Sequence, residues 1–482
     1  MMNRIKLAVF LLLLPFAGLW AQADWQPFTA LIQSGQPGNG FGYDLALSAD
    51  GETLVVGAPF HQVGTDRPGA VFVYRKPPGE EAWQQFGAEL SGSVDSDRMG
   101  YAVAVNNDGS VIAASLPFFD NPTGEWGKIR VFEWQGGAWQ QRGADIETLG
   151  GFEFGWDIAL NATGSRVSAT CLSGTDVVYE WDGTNWQLLG PGFSPQGDFN
   201  PYSTALSDDG NRIAFGSPNK AGLSEEVGSV YAYEWNGSTW APMGSPVLDS
   251  LKYRDYGLAV DLNYLGNALA VGAPKLRDES NSIRGGVEVF EYVPGAGWSQ
   301  KGGTIYGLDA YDEFGTDVKI SWDGNIVFAG APRQSSSRGA GAAFEWNGSS
   351  WEARGTAVVG AMINSRAGQA IAMDANGTVA ALAVEEEAVQ VFNWSTVSAV
   401  KHATFLNCSI YPNPATDWLV VDVPESVGPF VASLADEAGR VVFQAHGKGG
   451  ESLRFELAGL KGAYWVVVDA EGKRGVELLI VE

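Results

Sequence analysis

The sequence is short of the residue types on which most catalytic sites are built. It has 3 His and 2 Cys in 482 residues, so a histidine-rich metal site or a Ser-His-Asp triad would hang on one side chain. His61 is the only histidine in the body of the chain; His402 and His446 fall near its end. Cys171 and Cys408 lie far apart, in different domains by the division below, which predicts two thiols and no bridge. Positive charge is scarce as well, with 30 Lys and Arg against 56 Asp and Glu, a net −26. Phosphate backbones require a basic footprint, so no nucleic-acid partner is expected. No glycine-rich loop has phosphate-cradling spacing, and no cofactor is expected.

Long apolar runs are also missing, apart from one at the start. Asn3, Arg4 and Lys6 precede an apolar stretch from Leu7 to Trp20, followed by Ala21-Gln22-Ala23. A basic opening, a short apolar run and a small-x-small triplet predict a cleaved export signal over residues 1–23, with Asp24 as the mature start. No second run approaches the ~20 residues of a membrane span, so no transmembrane segment is expected after cleavage.

Glycine and aromatics are abundant. There are 63 Gly, about 13% against a usual ~7%, together with 18 Trp and 12% aromatic residues. Collagen would need Gly at every third position, and disordered chains lack such aromatic content. A turn-rich all-β protein remains.

Its repeats are legible. A motif Gly, usually after an aromatic, is followed nine residues later by a turn Gly: Gly42/Gly51, Gly100/Gly109, Gly155/Gly164, Gly257/Gly266, Gly315/Gly324 and Gly368/Gly377. In the fourth copy Pro201 replaces the first Gly and Gly210 keeps the second. Between them run alternating segments such as Tyr101-Ala-Val-Ala-Val105, the period of a strand. The turns read Asp-Gly at Asp50, Asp108, Asp209 and Asp323, which suits tight hairpins. A second strand ends in Gly57-Ala58-Pro59, repeated at Gly272 and Gly330, a third reads like Val230-Tyr-Ala-Tyr-Glu-Trp235, and a fourth opens on Trp83, Trp139, Trp186, Trp240, Trp298 or Trp351. Four short strands repeated seven times predict a seven-bladed β-propeller. The seventh copy stops at Trp394 without its fourth strand, while Trp25-Gln-Pro-Phe28 resembles Trp83-Gln-Gln-Phe86. The N-terminal segment is therefore expected to complete blade seven and remove a free sheet edge.

These glycine motifs resemble the FG-GAP type of repeat, with Phe41-Gly42 and Gly57-Ala58-Pro59, and Phe314-Gly315 and Gly330-Ala331-Pro332, carrying both halves. The resemblance covers residues 24–394 and implies an extracellular propeller used in adhesion or ligand binding. Integrin-like members bind Ca²⁺ through Asp-x-Asp-x-Asp-Gly turns; Ser48-Ala49-Asp50-Gly51 and Ser207-Asp208-Asp209-Gly210 hold too few carboxylates for a six- to eight-oxygen shell. No metal is expected there.

Residues 395–405 break the repeat and read as a linker. Then Tyr411, Pro412, Asn413, Pro414, Ala415, Thr416 and Asp417 lead into the alternation Trp418-Leu-Val-Val-Asp-Val423 and further short strands. About seventy residues with this many strands predict a small immunoglobulin-like β-sandwich over 406–482. That block, Leu460-Lys-Gly-Ala-Tyr464 and the terminal apolar strand look like the type IX secretion C-terminal domain. The likeness implies handling by the type IX machinery of a Bacteroidetes-like cell and a location on the outer surface or beyond it. The tail ends on Glu482, where members of that family often carry Lys.

Function is expected on the face with the long connections, which follow strands two and four, because binding residues concentrate on loops held by a rigid scaffold. Lys252, Arg254, Lys275, Arg277, Arg284, Arg333 and Arg338 form a basic arc there, a candidate for an anionic glycan. Interleaved Asp249, Asp255, Asp278 and Glu279 give the plainer reading of scattered surface charge. Phe118, Phe119, Trp126 and Tyr253 are candidate stacking residues, whereas the repeated strand-four Trp read as blade filling. Two positions before the motif Gly stand Arg98, Glu153, Asp255, Glu313 and Arg366, expected near the channel mouth. They could act on a sugar as acid and base, or pair and fix the loops. Asp44, Asp157 and Asp317, two residues after the motif Gly, read as backbone caps. The expected function is a surface binding or adhesion module for a glycan or protein, with no catalysis; a polysaccharide-active enzyme and a structural surface-layer component are the alternatives.

Overall fold

The computed structural model describes residues 23–28, 31–77, 82–120, 126–147, 150–172, 175–193, 202–218, 227–248, 254–360, 362–385, 387–396, 409–411, 418–423, 429–436, 441–448, 450–457, 460–470 and 473–481. The export-signal segment 1–22, Cys408 and the block Pro412–Asp417 lie outside them. The chain divides into two compact units, Asp24–Ser395 and one containing Thr396–Glu482.

The first unit is a propeller of seven antiparallel sheets. Blade six shows the plan: Val318–Ile320, Ile326–Ala331, Ala340–Trp346 and Trp351–Ala353 pair in order from the axis outward. A two-residue strand, Val358–Val359, then pairs back onto Ala340 and Gly341. Among the described residues this short return strand recurs in six blades; it was not legible as a strand, because two residues carry no period. Every residue of Thr53–Ala58, Ala268–Ala273 and Ile326–Ala331 is buried. Neighbouring blades cover both faces of these strands, which is why they read as unbroken apolar runs.

The ring closes as expected. Ala23–Pro27 lies beside Ala388–Thr396 as the outermost strand of blade seven, the Phe28 N–H donates to the Val391 carbonyl (2.9 Å), and Ile32 pairs with Val389. That last strand runs through Thr396, two residues into the stretch read as linker, since the N-terminal strand gives it a partner. Trp25 takes the place of a strand-four tryptophan. Its indole N–H donates to the Arg354 carbonyl of the preceding blade (3.2 Å), as Trp139 does to Phe86, Trp186 to Arg142, Trp240 to Leu189 and Trp351 to Lys301 (2.8–2.9 Å). These five Trp are thus clamps between blades, whereas the buried Trp83 indole N–H has no partner among the described residues.

The two glycine motifs meet each other across blades. A Cβ on Gly57, Gly272 or Gly330 would stand 2.1, 2.1 or 1.9 Å from the carbonyl oxygen of Gly100, Gly315 or Gly368 in the next blade. Gly330→Ala is expected to lower stability by about 1–3 kcal/mol through overpacking, while Gly303→Ala, with open space around its Cβ, leaves the denaturation midpoint unchanged. Equal midpoints for the two would refute the close-approach role.

The second unit contains two sheets, one of Ser409–Tyr411, Trp418–Asp422 and Ser452–Glu456, the other of Pro429–Asp436, Val441–Lys448, Gly462–Ala470 and Lys473–Val481. Leu419, Val421 and Phe455 of the first share a buried core with Phe430, Leu434 and Val466 of the second, making a small sandwich.

Candidate functional site

The innermost strands surround a channel cavity of about 470 Å³. Its loop-face end is built by the residue directly after each motif Gly: Tyr43, Tyr101, Trp156, Tyr202, Leu258, Thr316 and Gln369. Four consecutive blades supply aromatics. Their ring centroids lie 4.8 Å apart for Tyr43–Tyr101, 4.8 Å for Tyr101–Trp156 and 5.7 Å for Trp156–Tyr202, a continuous arc over half the mouth. Phe60 abuts Tyr43 edge-on and Phe118 abuts Tyr101, with the Arg98 guanidinium over both outer rings.

A turn sets this arrangement. The residue two before the motif Gly adopts positive φ: Arg98 (56°), Glu153 (59°), Asp255 (51°), Glu313 (57°) and Arg366 (51°), with Gly40 (70°) in blade one. The carbonyls of Gly40, Arg98, Asp255 and Arg366 accept the N–H of Tyr43, Tyr101, Leu258 and Gln369. The charged residues therefore hold the turn that aims the next side chains along the channel rim. A non-glycine residue in this region costs roughly 1 kcal/mol or more.

Deeper in the channel sit Asp44, Asp157, Asp261, Asp317 and Lys319. Each carboxylate staples its blade to the next. Asp44 accepts the N–H of Leu45 and Val103 (2.8, 2.7 Å), Asp157 those of Ile158 and Thr204, and Asp261 those of Leu262 and Ile320. Asp317 accepts the Ile371 N–H and the Lys319 ammonium (2.9, 3.1 Å). Burial pushes Asp44 and Asp261 up to about 6, and burial with the Asp44 charge pushes Asp157 up to about 7. Burial alone would lower the Lys319 ammonium, but Asp317, Asp261 and Asp44 outweigh it and hold it above the usual lysine range.

At the other end the turns form a collar of backbone bonds. The N–H of Ala49, Asn107, Ala162, Asp208, Trp322 and Ala375 donates to Asn107, Ala162, Asp208, Tyr264, Ala375 and Ala49 respectively. The Asn263 amide bridges the remaining step to the Trp322 carbonyl (3.3 Å). In the four Asp-Gly turns the Asp is a cap, as where Asp50 accepts the Ser48 hydroxyl and the Glu52 N–H.

The two sets of charged residues singled out in the sequence meet each other. Lys275 pairs with Asp255 (2.7 Å) and Arg333 with Glu313 (3.1 Å). Arg284 pairs with Asp278, and Arg277 donates to the Asn281 carbonyl (2.8 Å). Arg254 has its own interactions; Arg338 and Arg366 are exposed, and among the described residues neither has an ion-pair partner. Arg98, Glu153, Asp255, Glu313 and Arg366 do not line the channel cavity. Phe118 and Phe119 stand on a strand, Val111–Asp120, because this hairpin extends outward and replaces the expected loop. Phe118 joins the aromatic arc, and Phe119 takes the Lys128 ammonium over its ring (3.3 Å). Lys252, Tyr253 and the Trp126 side chain lie outside the described residues. His61 is buried against Phe72 and near Glu89. The Cys171 thiol is buried in the blade core. Among the described residues, no group of three or more His, Cys, Asp or Glu could hold a metal ion.

Sequence reasoning passed over Tyr101, Trp156, Tyr202, Asp261 and Lys319. The aromatics after the motif Gly were readable as a column, but they look like ordinary strand residues until the ring brings them to one rim.

Residues 409–482 match the family model described as the secretion system C-terminal sorting domain. The chain ends in a secretion sorting domain. That sorting domain indicates type IX secretion to the cell surface or extracellular space, handled by the type IX machinery. Among solved structures the chain is similar to hydrazine synthase of Kuenenia stuttgartiensis, at TM-score 0.53 and 14% identity, covering 76% of this chain and 98% of that one. At that identity the likeness concerns the fold alone. No curated protein matches in sequence. Among the described residues no helix is long and apolar enough to cross a membrane.

Proposed function

We propose that the propeller is the ligand-binding part of a surface or secreted protein, and that it takes a glycan at the loop-face mouth of its channel. The observation that carries this reading is the arc Tyr43–Tyr101–Trp156–Tyr202, contiguous over four blades and open to the cavity. Aromatic faces beside a few polar groups are the usual lining of a small-molecule site. The glycine contacts between blades are consistent with FG-GAP repeats, and an export signal over 1–23 and a role in adhesion belong to the same reading. The ion pairs of Lys275, Arg284 and Arg333 argue against an anionic glycan.

Binding rather than catalysis is the reading because Glu313 is engaged by Arg333 and the channel carboxylates accept backbone amides. The test is retention of the full chain on immobilised polysaccharides. Trp156→Ala with Tyr101→Ala is expected to weaken retention at least tenfold, while Glu153→Gln leaves it intact. Retention unaffected by the aromatic pair would end this reading, and turnover of a bound glycan lost in Glu153→Gln would favour the enzyme.

A further inference from the structure

The collar face carries two aromatics that the repeat does not require. Two positions before the turn Gly, five blades have Ala, Asn or Asp, and only blades five and six have Tyr264 and Trp322. The collar uses their backbones alone. Their side chains stand 40% and 46% exposed, with centroids 4.9 Å apart and planes at 86°. The clamp tryptophans, by contrast, spend their indole N–H on the preceding blade. Beside the exposed pair lies a cavity of about 380 Å³ lined by both rings, Asp323, Ile326, Ala375 and Asn376. Asn376 is exposed, and no side-chain hydrogen bond engages it among the described residues. Ser321 and Asn325 orient the Asp323 carboxylate.

We propose that this face is a second binding site, distinct from the loop-face mouth, for a neutral saccharide. A pyranose ring presents an apolar C–H face edged by hydroxyls. Trp322 offers the flat apolar surface, Tyr264 the side wall at right angles, and Asn376 and Asp323 the planar polar groups at the edge. The protein's net charge of −26 and the Asp323 carboxylate select against anionic glycans. The site does not depend on the loop-face reading.

The experiment is calorimetric titration of the full chain with maltohexaose, cellohexaose, laminarihexaose and xylohexaose. At least one is expected to bind, about tenfold or more weakly after Trp322→Ala, and within about threefold of the parent after Trp322→Phe, which keeps a ring for stacking. Trp322 is half exposed, so an unchanged melting temperature in both variants separates lost binding from lost folding. Binding abolished by Trp156→Ala but untouched by Trp322→Ala overturns this proposal and leaves the loop-face site standing; the reverse pattern supports it and removes the other. Binding of none of the four sugars overturns it. So does a Trp322→Ala chain that binds sugar normally but turns from dimer to monomer in sedimentation, which would make the patch a contact between copies.

Discussion

Replacing Trp25 by alanine is expected to cost the propeller about 3–5 kcal/mol, the range for truncating a buried aromatic. Trp25 is 6% exposed and packs 5.7 Å from Phe328 and 5.5 Å from Trp394, in a cluster with Ile326, Ile371 and Leu382. The neighbouring Asp24 carboxylate fastens the strand by accepting the N–H and hydroxyl of Thr356 (2.8–2.9 Å). Trp139→Ala is the control, since it removes the equivalent clamp inside blade two. Both variants should unfold at lower denaturant. Only Trp25→Ala should also self-associate, because loosening the closing strand exposes the edge of Ala388–Thr396 as a pairing template. Matching sedimentation profiles for the two would show that closure does not depend on this residue.

Replacing Lys319 by methionine is expected to destabilise the propeller by about 3 kcal/mol at pH 8 and by clearly less at pH 5. Removing one partner of a partly buried ion pair strands the other charge, and the low end of that range applies because the Lys319 side chain is 30% exposed. The pH dependence follows from the carboxylates. Asp44, Asp157 and Asp261 ionise near 3.8 when unfolded and near 6–7 when folded. A raised folded value means that the folded state holds more protons, so their contribution is fully present at low pH and is lost as pH rises through about 6–7. Lys319 eases that loss, since its charge lowers all three. Its own raised value leaves it charged throughout pH 5–8. The parent chain should therefore gain modestly in melting temperature from pH 8 to pH 5, and the variant should gain more. A deficit of the same size at both pH values would refute the counter-ion role.

The blade number was legible because each blade spells its turns with glycine, its second strand as an apolar run and its fourth with Trp. The missing fourth strand of the seventh copy was a fact of counting, and with Trp25 it foretold how the ring closes. The sorting domain was readable from Tyr411–Asp417 and the strands after it. Other features depend on distance around the ring. Asp44 and Val103 lie 59 residues apart, so a carboxylate seen as a local cap could not be recognised as a staple to the next blade. Asp261, four residues after its motif Gly, fell out of the column shared by Asp44, Asp157 and Asp317, yet reaches Ile320 in the same manner. The basic arc and the charged residues before the motif Gly looked like two sites. In space Lys275 and Arg333 neutralise Asp255 and Glu313, because the loops carrying them fold against each other.

Local pattern, then, settled the strands, the turns, the number of blades and the address carried by the tail, since each is encoded within a few dozen neighbouring residues. The aromatic rim of the channel, its stapling carboxylates around Lys319 and the exposed Tyr264–Trp322 pair arose only on closure. Seven segments some fifty residues apart had to meet around one axis before single positions in each repeat became a surface.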